Sequence, residues 1–172
     1  MNYYNTFELD ILETYNFKNA PINLQDCLTY FQMEKKQNLK CKICNKYTQI
    51  SNYSKIYSSP NMFIFSLNRG DLNNNSLIQI PFYIEDKLNI SSFLENKQAP
   101  NLYELTGIVS LCFQQNKYIY VSFCKSPVDH QWYCYNDENI NPVNLNYIMN
   151  AHNNNNYIPC ILAYKAISNK QK

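Results

Sequence analysis

The stretch YIYVSFCKSPVDHQWYCYND, residues 118–137, gives the clearest structural signal in the chain. Apolar and polar residues alternate from Tyr118 to Cys124, which predicts a strand with one buried face. Lys125–Asp129 contains a proline and is predicted to turn the chain back into a second strand, Gln131–Tyr135. That strand ends on an Asn-Asp pair, which is typical of a turn. The stretch therefore predicts two antiparallel strands joined by a short loop.

Outward from this hairpin, the sequence predicts one early helix and several further strands. Asn23 can cap the helix, which is predicted to end near Glu34–Gln37. One apolar stripe runs along the helix at positions i, i+3, i+4 and i+7: Leu24, Cys27, Leu28 and Phe31. The other predicted strands are Phe7–Leu12, Tyr53–Tyr57, Met62–Leu67, Ile78–Ile84, Leu105–Cys112 and Ile158–Tyr164. Weaker signals indicate a polar turn at Asp71–Ser76, a helical turn at Ile90–Leu94 and a helix within Pro142–Asn150. One early helix followed by many antiparallel strands predicts an α+β fold.

The composition excludes several classes of protein. The chain has 172 residues, of which 45% are hydrophobic and 16% charged, so it should form one domain with a buried core. A net charge of +2 without a dense basic run argues against a nucleic-acid binder. The two glycines exclude a Gly-rich phosphate loop and a G-x-S-x-G nucleophile motif. Because no apolar run is long enough to span a membrane and the first residues do not read as a signal peptide, we expect an intracellular protein with reduced cysteines, in the cytoplasm or nucleus.

Cys41 and Cys44 have the C-x-x-C spacing that lets two thiolates bind one Zn²⁺. A structural zinc requires four ligands, and the chain has no second C-x-x-C and no histidine near the first. Cys27 lies apart on the apolar stripe of the helix and is predicted to be a small buried hydrophobe. The pair therefore indicates half of a zinc site, with a complete site or a redox dithiol as the alternatives.

A cysteine hydrolase needs a thiolate, an imidazole base and a polar group that orients the base. The chain has two histidines. His130 is predicted to lie in the turn before Trp132, and His152 in an Asn-rich loop, and both are expected to be exposed. The residues alone therefore do not indicate a catalytic triad.

From Phe7 to Tyr164, the order of landmarks resembles the C-terminal half of the catalytic domain of ubiquitin-specific proteases. These enzymes are cysteine-type deubiquitinases, or ubiquitin carboxyl-terminal hydrolases. The matching segments are Leu24–Leu28 with Phe31 and Glu34, Cys41 with Cys44, Pro60 followed by Leu67–Gly70, Pro81, Tyr103–Val109, Tyr120–Asp137 and Tyr157–Tyr164. The resemblance implies a papain-like α+β fold with mostly antiparallel fingers and palm. It also implies a family activity, the thiol-dependent hydrolysis of the bond after the C-terminal Gly of ubiquitin.

The resemblance also assigns positions at the site. The family's catalytic His corresponds to Ile119, and its orienting Asn or Asp corresponds to Asn136, with Asp137 beside it. The next residue, Tyr120, is expected to contact the tail of ubiquitin. The family's nucleophilic Cys lies in an upstream box that has no counterpart here, so residues 1–172 are expected to form a partial domain.

The departures from the family pattern predict an inactive site. Ile119 has no lone pair and no exchangeable proton, and loss of the triad His costs about 10⁶ in turnover in a comparable serine enzyme. The expected partner is ubiquitin or a ubiquitinated protein, with a partner or an upstream segment completing the fold, and no nucleic acid or membrane. No cofactor is expected, and zinc would be held only if a second Cys pair were supplied. The alternatives are a non-catalytic ubiquitin-binding or scaffold protein and an unrelated intracellular β-rich interaction domain.

Overall fold

A single eight-stranded sheet is the framework of the computed structural model, which describes residues 6–70, 77–96, 100–154 and 156–167. The strands are β1 (Thr6–Leu9), β2 (Ile22–Asn23), β3 (Lys35–Lys40), β4 (Tyr47–Asn52), β5 (Met62–Leu67), β6 (Phe82–Tyr83), β7 (Lys87–Asn89), β8 (Leu102–Gln114), β9 (Lys117–Lys125), β10 (Trp132–Asn136), β11 (Asn139–Val143) and β12 (Ile158–Ala166). The helices are α1 (Ile11–Lys18), α2 (Leu24–Gln32), α3 (Leu145–Asn153) and a 3₁₀ helix at Ser91–Phe93. No helix among the described residues has the length and apolar character needed to cross a membrane.

The main sheet is antiparallel except at one edge. Its strand order is β1-β5-β12-β8-β9-β10-β11, with β7 paired to the start of β8, and only β1 and β5 run parallel. Two smaller pairs lie outside this sheet, the parallel pair β2–β6 and the antiparallel hairpin β3–β4. The predicted α+β class with mostly antiparallel strands is confirmed.

The turn between β8 and β9 sets the register of the two central strands. Gln115 and Asn116 both have positive φ, 48° and 62°. A two-residue hairpin turn with positive φ at both central residues matches the right-handed twist of the strands that it joins. The turn pairs Gln114 with Lys117, and the ladder continues back to Gly107 opposite Cys124.

Helix α2 confirms the predicted early helix. The Asn23 side chain accepts the backbone N–H of Asp26 at 2.9 Å, and the Asp26 carboxylate accepts the backbone N–H of Asn23 at 2.9 Å. This reciprocal pair is a capping box, which satisfies two N–H groups that would otherwise lack partners. The helix ends at Gln32 because Met33 adopts an extended conformation, so the predicted end near Glu34–Gln37 is wrong and β3 begins there instead.

Helix α1 corrects the prediction of one early helix and of a strand over Phe7–Leu12. The strand stops at Leu9, and Asp10 caps a helix by accepting the backbone N–H of Glu13 at 3.1 Å. The helix ends at Lys18, and Asn19 caps it with a φ of 53°, in the left-handed region. With α3 the structure has three α-helices among its described residues, two of them early in the chain.

Three other strand and helix predictions also need correction. The strand predicted at Tyr53–Tyr57 is wrong, since the pairing partner of β3 is the preceding segment, β4. The strand predicted at Ile78–Ile84 is reduced to β6, because Pro81 has no N–H and the Ile78 and Ile80 carbonyls accept hydrogen bonds from a side chain. The helix signal within Pro142–Asn150 corresponds to the end of β11 followed by α3. The turn predicted at Asp71–Ser76 lies outside the described residues.

The core lies between the main sheet and the helices, and aromatic rings fill its centre. Phe63 and Phe65 of β5 stack with ring centroids 5.3 Å apart, and Phe63 also contacts Tyr103 at 5.0 Å. The buried tyrosines keep hydrogen-bond partners, since Tyr103 donates to the Pro60 carbonyl and Tyr164 to the Glu85 carbonyl, each at 2.6 Å. The predicted burial of Cys27 is confirmed, and the thiol belongs to this core.

Candidate functional site

Ile119, at the position implied for the family's imidazole, lies on β9 directly opposite Cys112 of β8. The Ile119 side chain is half-buried and packs against the core. The Cys112 thiol across from it is 9% exposed and accepts a hydrogen bond from the Gln114 side chain at 3.5 Å. A thiol and an aliphatic side chain therefore lie opposite each other on neighbouring strands, and Ile119 has no atom that could accept a proton.

Asn136 ends β10 at the same end of the sheet. Tyr135 pairs with Ser122, so the next residue, Asn136, lies beyond the last paired position on β9. Because alternate residues of a strand share a face, this register places Asn136 on the face that carries Ile119. Asp137 follows in the turn, exposed and with a φ of 50°, as the predicted Asn-Asp turn requires. The register thus places on one face of the sheet the two positions that the resemblance assigned to the base and its orienting group.

Tyr120 lies on the opposite face of β9 and is 60% exposed. Other exposed residues on that face are also aromatic, and Phe113 and Tyr118 contact one another with ring centroids 5.0 Å apart. We call this surface the aromatic face; it comprises Phe113, Tyr118, Tyr120 and Tyr135. The Gln79 side chain donates a hydrogen bond to the Tyr118 hydroxyl at 2.8 Å, which holds Tyr118 in place at one end of the aromatic face.

His152 is buried, so the prediction that it lies exposed in a loop is wrong. Helix α3 continues through the first of the asparagines, and the His152 side chain is only 3% exposed. Its Nδ1 lies 2.7 Å from the Ile148 carbonyl and its Nε2 lies 2.8 Å from the Ser110 hydroxyl. A carbonyl can only accept, so Nδ1 carries the proton and Nε2 accepts the Ser110 O–H. The missed signal was helical spacing, since Leu145, Ile148, Met149 and His152 recur at i, i+3, i+4 and i+7.

Neither histidine can serve as the base at the end of the sheet where Ile119 and Asn136 lie. Both ring nitrogens of His152 already have partners. His130 is exposed, as predicted, in a turn where its backbone N–H donates to the Ser126 carbonyl at 3.1 Å. His130 precedes β10, whereas Asn136 ends that strand. The two residues are six positions apart, which corresponds to about 20 Å along an extended chain.

Cys41 and Cys44 lie in the turn of the β3–β4 hairpin, with the Cys41 sulfur turned towards backbone donors. Hydrogen bonds from the backbone N–H of Cys44, then that of Ile43, and from the Cys44 thiol lower the pKa of Cys41. Asn45, with a φ of 57°, closes the turn by donating its N–H to the Cys41 carbonyl at 2.9 Å. Within the described ranges, no group of three or more potential metal ligands converges. The pair fits half of a tetrahedral zinc site, and a complete site would need two further donors.

The hairpin that carries this pair is exposed and strongly basic. Five lysines lie on it, with no acidic residue between positions 35 and 52: Lys35, Lys36, Lys40, Lys42 and Lys46. Nearly all of its side chains are exposed, and its two strands pair only with one another. An isolated two-stranded hairpin is only marginally stable in water.

The family model of the ubiquitin carboxyl-terminal hydrolases matches residues 9–164, from the end of β1 to β12. The chain belongs to this family. The resemblance noted from the sequence is therefore confirmed, and so is the papain-like fold that it implied.

Similar proteins are identical to this chain at about a quarter of the aligned positions. The human Ubl carboxyl-terminal hydrolase 18 is 25% identical over 161 residues, which cover 85% of this chain and 43% of that protein. The ubiquitin carboxyl-terminal hydrolase 4 of Pongo abelii is 22% identical over 143 residues, covering 77% of this chain and 14% of that protein. The chain thus spans less than half the length of these two relatives.

Solved structures of this family show the same fold. A structure of the yeast SAGA DUB module matches with a TM-score of 0.71 and 24% identity, covering 95% of this chain and 35% of the matched chain. A SAGA Ubp8/Sgf11/Sus1/Sgf73 DUB module bound to ubiquitin aldehyde matches with a TM-score of 0.67 and 24% identity, over 95% of this chain and 36% of the matched chain.

His152 should lower the free energy of unfolding of this ubiquitin carboxyl-terminal hydrolase domain at acidic pH. Burial, together with the nearby Arg69 cation, lowers the pKa of His152, although its bond to the Ile148 carbonyl opposes this shift. The unfolded chain therefore binds a proton near pH 6.5 while the folded chain does not. Stability should be unaffected by this group above pH 6.5 and should fall below it, by at most about 1.4 kcal/mol per pH unit.

Urea unfolding between pH 7.5 and 5.0 measures this effect. The His152→Gln variant should lose this part of the pH dependence, because its amide cannot be protonated in this range. His130→Gln, at an exposed site, should keep it. Equal pH slopes for the wild type and His152→Gln would show that His152 does not couple stability to pH.

Proposed function

We propose that this chain is a catalytically inactive ubiquitin-specific protease-like domain that retains a surface for ubiquitin. The observation that carries the proposal is Ile119, an aliphatic side chain on the face shared with Asn136, at the position implied for the base. In the family mechanism, the imidazole at this position takes the proton of the nucleophilic thiol. Ile119 cannot accept a proton, so the hydrolytic step has no base here.

Four thiols support the same conclusion, because burial raises their pKa values and so makes them poor nucleophiles. Burial raises the pKa of Cys27 to about 12, and no imidazole lies beside it to activate the thiol. Burial also raises the pKa of three further thiols, those of Cys124, Cys134 and Cys160. A neutral thiol is a weak nucleophile and needs an adjacent base to react.

The proposal treats residues 1–172 as one part of a longer catalytic-domain architecture. Its support is the partial coverage of relatives and solved structures, 43% of the human hydrolase and 35% of the yeast module chain. The β3–β4 hairpin adds to this support, since such hairpins usually gain stability from further strands or packing. We infer that a partner or another segment completes the fold on this side. The alternative, a scaffold without affinity for ubiquitin, would use the same surfaces for other proteins.

Two further inferences concern the partner and the compartment. One of the matched SAGA modules is bound to ubiquitin aldehyde. By resemblance, Tyr120 of the aromatic face is the residue that would contact the ubiquitin tail. The seven cysteines are all free thiols, which fits a reducing compartment, the cytoplasm or the nucleus.

The first experiment measures hydrolysis of a ubiquitin C-terminal fluorogenic amide. We expect no turnover above background for the chain, because the imidazole position holds Ile119, which cannot accept a proton from a thiol. The Ile119→His variant should also be inactive, since it restores a base but no nucleophile. Turnover by the wild-type chain at a rate comparable to an active family member, run as the control, would contradict the proposal.

Ubiquitin binding is tested separately by titrating the chain into isotope-labelled ubiquitin. We expect chemical-shift changes at high micromolar chain, and the Tyr120→Ala variant should bind roughly tenfold more weakly, as truncation of a large aromatic contact usually does. Tyr83→Ala is the matched control, because Tyr83 is 50% exposed and lies on β6. If no shifts change with the wild-type chain, the scaffold alternative is favoured.

We infer that Cys41 and Cys44 form half of a zinc site, which retains the ion only if a second Cys pair is supplied. We expect zinc added to the chain to be released to a chromogenic chelator during buffer exchange, because two thiolates supply half of a tetrahedral set. The Cys41→Ser variant should behave like the wild type in this assay. Retention of one zinc per chain, lost in Cys41→Ser but kept in Cys124→Ser, would mean that further donors complete the site.

A further inference from the structure

Three exposed aromatic residues form a row on the aromatic face, one on each of the strands β8, β9 and β10. Phe113 and Tyr120 are each 60% exposed, and Tyr135 is 38% exposed. Phe113 lies opposite Tyr118 of β9, and Tyr120 lies two positions further along that strand. Tyr135 lies opposite Ser122, a further two positions on. The row therefore crosses the three strands diagonally.

The geometry of the sheet determines the spacing along this row. Neighbouring strands lie about 4.8 Å apart, and two residues advance about 6.7 Å along a strand. Each step of the row combines both displacements, so successive side chains are attached about 8 Å apart. A polyproline II helix has three residues per turn and rises about 3.1 Å per residue, so one of its faces recurs about every 9 Å. Successive aromatic residues of the row can therefore each contact one turn of such a helix.

The surface around these rings is uncharged. Leu111 and Ser122 occupy the positions opposite the two tyrosines of the row, and neither carries a charge. A cleft of about 470 Å³ beside Phe113 is lined by uncharged side chains, among them Gln79 and Gln114. Such a surface favours an uncharged ligand, because a charged group would lose its hydration here without gaining an ion pair.

The tyrosines add hydrogen-bond donors to this uncharged surface. The Tyr118 hydroxyl accepts the Gln79 amide, so its own proton remains available to a ligand. A polyproline II helix has no internal hydrogen bonds, and its carbonyl groups can therefore accept such protons. A tyrosine combines an apolar ring with a polar tip and can contact both the ring of a proline and a neighbouring carbonyl.

We propose that the aromatic face binds a proline-rich segment of another protein in the polyproline II conformation. Its prolines pack against Phe113, Tyr120 and Tyr135, and its carbonyls accept hydrogen bonds from the tyrosine hydroxyls. Aromatic-lined grooves recognise such segments because the helix is already formed before it binds, so that little conformational entropy is lost. This ligand shares Tyr120 with the proposed ubiquitin contact, but its binding does not depend on ubiquitin.

The test measures the fluorescence anisotropy of a fluorescein-labelled decaproline peptide during titration with the full chain. We expect saturable binding, whereas a glycine-serine peptide of the same length and label should not bind, because it is flexible and has no proline rings. Phe113→Ala and Tyr135→Ala should each weaken decaproline binding about tenfold, as truncation of a large aromatic contact usually does. The absence of saturable binding up to millimolar chain overturns the proposal, and so does equal binding of the two peptides.

Two further variants separate loss of the contact from loss of the fold. Phe17→Ala is the matched control, because Phe17 is also 60% exposed but lies on α1. Phe113→Tyr keeps an aromatic ring at its position and should bind like the wild type. If Phe113→Ala fails to fold, Tyr135→Ala decides. An equal loss of binding in Phe17→Ala and in the variants of the row would overturn the proposal.

Two other outcomes would assign the aromatic face to a different partner. Dimerisation of the chain that Phe113→Ala abolishes, without any binding of decaproline, would assign the face to a second copy and overturn the proposal. Ubiquitin binding without decaproline binding would also overturn it and would leave the proposed function standing. Decaproline binding without ubiquitin binding would support it and would count against the proposed ubiquitin surface.

Discussion

The two-residue turn at Gln115–Asn116 fixes the register between β8 and β9, and the candidate site depends on that register. A slip of one residue would move Ile119 to the opposite face of the sheet and turn Tyr120 into the core. On the other side of β8, Gly107 packs closely against β12, since a Cβ added to it would lie 3.4 Å from the Cβ of Ala163. The positions assigned to the base and to its orienting group therefore share one face because of backbone geometry, without any bond between their side chains.

Much of the fold could be predicted from the sequence because its signals are local. The capping residues of α2 and the alternation in β9 and β10 act within a few positions, so each can be recognised without knowledge of the rest of the chain. Helix α1 was missed because its apolar residues do not form a clear stripe and its only signal is the Asp10 cap. The strand predicted at Ile78–Ile84 failed for a long-range reason, since the carbonyls of that segment bond to Arg69.

Less of the candidate site than of the fold could be predicted from the sequence. The residues alone gave two histidines and no triad, and only the order of family landmarks placed Ile119 and Asn136 at one site. The burial of His152 and its bond to Ser110 join a helix and a strand that lie 42 residues apart, so no local pattern revealed their contact. The burial of Arg69 is likewise a property of the folded chain, because its hydrogen-bond acceptors come from the segment before β6 and from β12.

The β3–β4 hairpin gives the molecule an uneven distribution of charge. It holds five of the 15 basic residues and none of the 13 acidic ones, although the chain as a whole has a net charge of +2. The remainder of the chain is therefore net negative, and this separation of charge gives the chain a dipole whose positive end lies on the hairpin. Such a dipole orients a protein during diffusional approach and speeds its encounter with acidic surfaces. Salt should weaken this steering, since at physiological ionic strength the field of exposed lysines extends only about 8 Å.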